Sequence, residues 1–235
     1  MADLQQAAAE RIAASLKRII AEHDACLLAI SGGSAPPGVF RYLSTEPLRV
    51  GIPWEKVSVI WADERYVPYT HPESNYTQAR QSLLDHVPIP SEQVYPLATA
   101  YRNPADATAI YNRLVRTLIE AHDNRIDLAL LGMGPDGHTA SLFPGHQALA
   151  APTDAYAVLV EDSPKPPPIR VSLSPTALKH IREAIFLVSG ADKAPKVQAA
   201  LRGPYAPSET PAQLVRPPQG HVIWMLDQAA AALLS

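Results

Sequence analysis

The sequence predicts a doubly wound α/β fold, a mostly parallel sheet flanked by helices on both faces, with residues 1–235 forming a single α/β domain. Three observations predict it. Short apolar, β-branched runs recur along the chain, stretches of helical periodicity lie between them, and several runs end at once in glycine, hydroxyl or charged residues. Strands that alternate with helices are joined by crossovers, which make the strands parallel and cover both faces of the sheet. A length of 235 residues, 47% of them apolar, suffices for one large core.

Leu4, Ala8, Ile12, Leu16, Ile19 and Ile20 recur at helical spacing, so residues 3–22 are expected to form an amphipathic opening helix. The runs 26–30, 57–62, 127–131, 156–160, 170–173, 184–188 and 221–226 are too short for helices and read as buried strands. A helix is expected to start near Pro36 or Pro37, and segments 75–86 and 105–122 have helical periodicity. The 24 prolines concentrate in 163–168 and 202–218. Strand-like runs resume on both sides of each, so these are read as stiff surface connections rather than domain linkers.

A net charge of −3 and a pI near 6.2 provide no broad basic surface, so nucleic acid is not an expected partner. A small anionic ligand would have to be held by a few local cations. Cys26 cannot form an internal disulfide and sits in an apolar run, which points to a buried, inert thiol and a reducing compartment. With neither a leader-like segment nor a membrane-length apolar stretch, the chain reads as soluble and cytoplasmic, without a membrane partner. The residues leave its oligomeric state open between monomer and dimer.

The chemistry is expected where strands end. Run 26–30 leads into Ser31-Gly32-Gly33-Ser34, run 57–62 into Asp63-Glu64-Arg65, run 127–131 into 132–139, and run 184–188 into 189–193. Ligands of open parallel sheets bind outside the carboxyl ends of the strands, so these four stretches are expected to converge on one crevice. The 31–34 loop suits phosphate or carboxylate binding by backbone N–H groups at a helix start. It is neither a P-loop nor a nucleophile elbow. Residues 132–137 match Gly-x-Gly-x-x-Gly, but Pro135 and Asp136 occupy the turn and Pro144 forbids a long helix, so a dinucleotide is not expected. The glycines instead present Asp136 and His138. Of the 8 histidines, His138 alone lies in such a loop, while His23, His86, His122 and His180 read as solvated helix residues. An imidazole, whose ordinary pKa is about 6.5, can take a proton from water at neutral pH. Arg65 and Lys193, each just after a strand, are the candidate phosphate cations, and Arg170 is a weaker third. No metal-ligand spacing is present.

These pieces, SGGS (31–34), WADERYVP (61–68), ESNY (73–76), LGMGPDGHTASLFPG (131–145), RVSLS (170–174), SGADKA (189–194) and VIWMLDQAA (222–230), span nearly the whole chain. Together they resemble the 6-phosphogluconolactonase family, within a superfamily that also holds glucosamine-6-phosphate deaminase. Ala35 stands where Thr is expected, and 49–54 looks like a variable loop. The resemblance implies a sheet-based α/β fold and hydrolysis of 6-phosphogluconolactone, a step of the pentose phosphate pathway, without metal or cofactor. It implies His138 as general base with Asp136 orienting it, and leaves open which of Asp63 and Asp136 touches substrate. It further implies an oxyanion site on the glycine loop that includes Gly134, and a phosphate held by Arg65, Lys193 and residues 31–34. The competing reading on the same scaffold, a sugar-phosphate isomerase or deaminase, expects an acid just beyond the histidine, where this chain has Leu142-Phe143. A non-catalytic phosphosugar sensor would need a DNA-binding segment that the sequence does not display.

Overall fold

The computed structural model describes residues 1–234. In chain order its elements are α1 (Ala2–His23), β1 (Cys26–Ile30), α2 (Pro36–Leu43), α3 (Leu48–Gly51), β2 (Val57–Trp61), β3 (Asp63–Arg65), α4 (Asn75–Ser82) and β4 (Val94–Tyr95). There follow α5 (Pro104–Ala121), β5 (Ile126–Leu131), β6 (Ala157–Val160), β7 (Arg170–Leu173), α6 (Pro175–Lys179), β8 (Ile181–Val188), α7 (Ala194–Arg202) and β9 (His221–Leu226). Local chemistry marks the boundaries. Ser74, Asn103 and Ser174 each cap the first turn of α4, α5 and α6 with a side-chain oxygen, and Pro104 and Pro175 take first-turn positions where no N–H is needed.

Six strands form one sheet in the order β4-β2-β1-β5-β8-β9, with every pairing parallel. Their side chains alternate between two cores. Leu27 and Ala29 of β1, with Ala184, Phe186 and Val188 of β8, face α5 and α7. Leu28 and Ile30, with Ile185 and Leu187, face α1 and α2. This period of two, buried on both sides, is why the strands read as continuous apolar runs. Cys26 is buried in the second core, where burial pushes its thiol well above the ordinary range.

The chain winds from β1 outward to β2 and β4, then returns to β5 and winds the other way through β8 to β9. The order therefore reverses between β1 and β5, and their loops diverge there to leave a crevice at the carboxyl ends.

Three expectations need correction. The runs 156–160 and 170–173 do not join the parallel sheet; as β6 and β7 they form an antiparallel sheet with β3 in the order β3-β7-β6. Apolar composition specifies a buried strand but not its partner, and the three-residue β3 is too short to announce itself. The helix expected over 75–86 breaks at Leu83, whose backbone (φ −138°, ψ −64°) leaves the helical region, and resumes as a 3₁₀ turn, Leu84–His86. His122 is not simply solvated: its side chain is 14% exposed and its Nδ1 lies 3.3 Å from Asp127. Among the described residues no helix is long and apolar enough to cross a membrane.

Candidate functional site

The loops after β1, β2, β5 and β8 do meet, enclosing a crevice of about 380 Å³ at the point where the strand order reverses. From β1 come Ser31, Gly32, Gly33 and Ser34; from β3, Asp63 and Arg65; from the β5 loop, Gly134 and His138; from β7, Arg170; and from the turn after β8, Lys193. Asp136 does not line the crevice but stands directly behind His138.

His138 is held from three sides. Its Nδ1 lies 2.5 Å from Asp136 Oδ1, and the same oxygen accepts the His138 backbone N–H at 3.2 Å. A carboxylate on Nδ1 fixes the proton there and leaves the lone pair on Nε2, the tautomer a base requires. The imidazole rests on the Phe143 ring, with centroids 4.6 Å apart, and Phe143 in turn lies under the Arg170 guanidinium. On the third side Gly134 must be glycine, because a Cβ there would stand 2.1 Å from the imidazole ring and 2.5 Å from Asp136 Oδ1. Partial burial alone would raise the Asp136 carboxyl, but its hydrogen bond to His138 and the nearby charges of His138 and Lys165 hold it far below the usual range. The loop leads into a turn closed by a Thr139–Leu142 bridge rather than a helix.

The anion end is built differently. The first two positions of α2 are Pro36 and Pro37, which carry no N–H, so donors at this helix start belong to residues 32–35 rather than to the helix's own first turn. Gly33 N–H points to Gln78 Oε1 at 3.4 Å. Gly32 is pressed against α4, where a Cβ would meet Asn75 Oδ1 at 1.8 Å. Among the described residues, Ser31 Oγ and Arg65 Nε are buried without a hydrogen-bond partner, and both residues face the crevice. Arg65 is oriented by one bond, from Nη1 to the Glu73 carbonyl at 2.8 Å. Its neighbour Glu64 is turned away from the crevice and accepts the Asn75 and Tyr76 N–H groups at 2.7 Å each, at the start of α4. Burial pushes the Glu64 carboxyl up to about 7 against the pull of those bonds. Asp63, 7% exposed, accepts Ser141 Oγ at 2.7 Å and so ties the β3 end to the His138 loop.

The chain is matched over residues 1–224 by the family model described as glucosamine-6-phosphate isomerases/6-phosphogluconolactonase. It belongs to that family. A protein of Mycobacterium tuberculosis named 6-phosphogluconolactonase is 39% identical to it, the match covering 98% of this chain and 94% of the relative. One of Synechocystis with the same name is 36% identical over 92% and 87% of the two chains. The solved structure of 6-phosphogluconolactonase from Trypanosoma brucei superposes with a TM-score of 0.84 at 28% identity, covering 100% of this chain and 95% of that one.

Two features of the site lay outside the sequence-based expectation. The 163–168 segment, read as a plain surface connection, lines the crevice with Lys165 and Pro166. Arg170, expected as a third phosphate cation, is 4% exposed and spends its donors on that segment's carbonyls, those of Lys165, Pro166 and Pro167 at 3.0–3.1 Å. A lone cation in a proline-stiffened loop just before an arginine was the available signal.

Proposed function

We propose that this chain hydrolyses 6-phosphogluconolactone to 6-phosphogluconate, with His138 as general base. The observation that carries the proposal is the placement of an Asp136-bound imidazole and the cations Arg65 and Lys193 on one crevice at the reversal of strand order, in a chain whose curated relatives are named for this activity. Water attacks the lactone C1 carbonyl as Nε2 of His138 takes its proton, and Asp136 stabilises the imidazolium that forms. The tetrahedral oxyanion then collapses. The bond from C1 to the ring oxygen breaks, the imidazolium returns the proton to that oxygen, and the new carboxylic acid ionises. N–H groups of the glycine loop about Gly134 are the candidate oxyanion donors. Arg65, Lys193 and residues 31–34 grip the 6-phosphate and set the carbonyl over His138. The apolar Leu142-Phe143 pair, with the Phe143 ring packed against His138, supplies no second acid for proton transfer at carbon. The test is acid release from freshly made 6-phosphogluconolactone against its spontaneous background, with ammonia release from glucosamine 6-phosphate in parallel. Acid release well above background is expected; ammonia release without it would overturn the reading.

A further inference from the structure

We propose that Lys165 is a positioning residue for the Asp136–His138 pair: its ammonium anchors the second oxygen of Asp136 and sets a positive charge beside the imidazole that opposes its charging. This rests on the hydrolase reading above.

The geometry divides Asp136 between two partners. Oδ1 holds the imidazole, and Oδ2 lies 3.5 Å from Lys165 Nζ. The same Nζ is 3.4 Å from His138 Nδ1, so the ammonium touches both members of the pair. A lysine stem is flexible, and an isolated surface contact of this kind contributes little. Here the backbone beneath it is fixed. Ser163 Oγ donates to the Lys165 carbonyl at 2.8 Å and accepts the Lys165 N–H at 3.3 Å. Arg170 donates to the carbonyls of Lys165, Pro166 and Pro167, and Pro164, Pro166, Pro167 and Pro168 restrict the remaining dihedrals. Arg170 also covers Phe143, the ring on which His138 rests, so one arginine locates both the cation and the platform of the base.

The chemical consequence follows from sign. Asp136 alone favours the imidazolium, because a carboxylate attracts positive charge on the ring it holds. A cation in hydrogen-bonding reach offsets that bias while leaving the orienting bond intact. The other charged groups facing His138 are Asp63, Arg65 and Lys193 across the crevice and Arg170 behind Phe143, and none of these shares Asp136 with the imidazole.

The test compares wild type, Lys165→Met and Lys165→Arg through the pH profile of kcat/KM on 6-phosphogluconolactone and the side-chain ¹⁵N spectrum of His138. Lys165→Met is expected to move the acidic limb upward by about one pH unit, a roughly tenfold loss on that limb, and to lower kcat. Its ¹⁵N spectrum should show His138 charging at higher pH and less of the Nδ1–H tautomer. Lys165→Arg should restore both. An unchanged limb and tautomer in Lys165→Met would overturn the proposal. So would a raised KM confined to the phosphorylated lactone with kcat intact, which would make Lys165 a phosphate ligand. Should wild type release no acid above background, the hydrolase reading fails, and the ¹⁵N titration of the pair still decides what Lys165 does.

Discussion

The two ends of the parallel sheet use the same charged residue types for opposite purposes. At the amino ends, Asp127 and Glu183 are 2% and 0% exposed, and donors surround each. Asp127 accepts the Leu27 N–H at 2.9 Å and Arg182 Nε at 3.2 Å. Glu183 accepts Ser15 at 2.5 Å, Arg18 at 2.7 Å and Arg11 at 3.2 Å, with His221 at 3.1 Å. At the carboxyl ends the excess lies with the cations, and among the described residues Arg65 Nε and Ser31 Oγ have no hydrogen-bond partner. Charges whose bonds are all made within the protein hold the fold together. Charges left partly unsatisfied at a crevice can be used on a ligand.

The contrast breaks most sharply at His138. His138→Ala is expected to lower kcat by roughly 10²–10⁴-fold while leaving the melting temperature close to wild type, because the residue packs in a loop and not in either core. Calorimetry beside the kinetics separates the two effects, and near-wild-type turnover in the variant would make His138 structural. Gly134→Ala probes the same pair without changing either residue. The new methyl must displace the imidazole from contact with Asp136, and an error of about 1 Å in a reacting group costs on the order of 10²-fold in rate; loss of activity with retained far-ultraviolet dichroism is expected.

The opposite pattern is expected at the other end. Glu183→Ala should cost about 1–3 kcal/mol of stability, below the usual figure for breaking a buried pair because Arg11, Arg18 and His221 are half in water and can resolvate. Activity per folded molecule should not change. Denaturant titration and rate assays on the same sample would check both. The smallest effect is in pH. Burial alone would raise the Glu183 carboxyl, but the Ser15 hydrogen bond, Arg11 and His221 hold it below its ordinary value near 4.5. A carboxyl whose folded pKa is depressed contributes stability that is present above its unfolded pKa and lost as pH falls through the folded one. Wild type should therefore lose stability on acidification below about 4.5 more steeply than Glu183→Gln, measured by melting temperature.

Much of the parallel sheet was legible because its central strands β1, β2, β5 and β8 are buried on both faces and announce themselves as apolar runs, and because small and charged residues follow them directly. The order of those strands was not legible, and neither was the transfer of β6 and β7 to a second sheet, since register and partner depend on tertiary packing. Every residue proposed for the site lies at the crevice or, for Asp136, directly behind it. Lys165 is not marked by the sequence because its proposed role depends on Arg170, which binds the proline-rich loop and lies over Phe143, a contact between segments that no local pattern encodes. The same contact explains why Arg170, expected as a third phosphate cation, has its donors turned to carbonyls instead. Asp127 and Glu183 were hidden for a related reason: a single carboxylate inside an apolar strand gives no hint of the donors that α1, α5 and the neighbouring strands bring to it.

On the proposed function, the crevice grips a phosphate with Arg65 and Lys193 and thereby delivers a lactone to His138. The measurement that tests it most directly is kcat/KM on 6-phosphogluconolactone and on unphosphorylated gluconolactone for wild type, Arg65→Ala, Arg65→Lys and Lys193→Ala. Both alanine variants are expected to lose activity on the phosphorylated lactone selectively. Arg65→Ala should lower kcat as well as raise KM, and Arg65→Lys should restore only part of the loss because the planar fork is missing. Equal losses on the two lactones would mean that neither cation reads the phosphate, and the anion end of the crevice would then have to lie elsewhere.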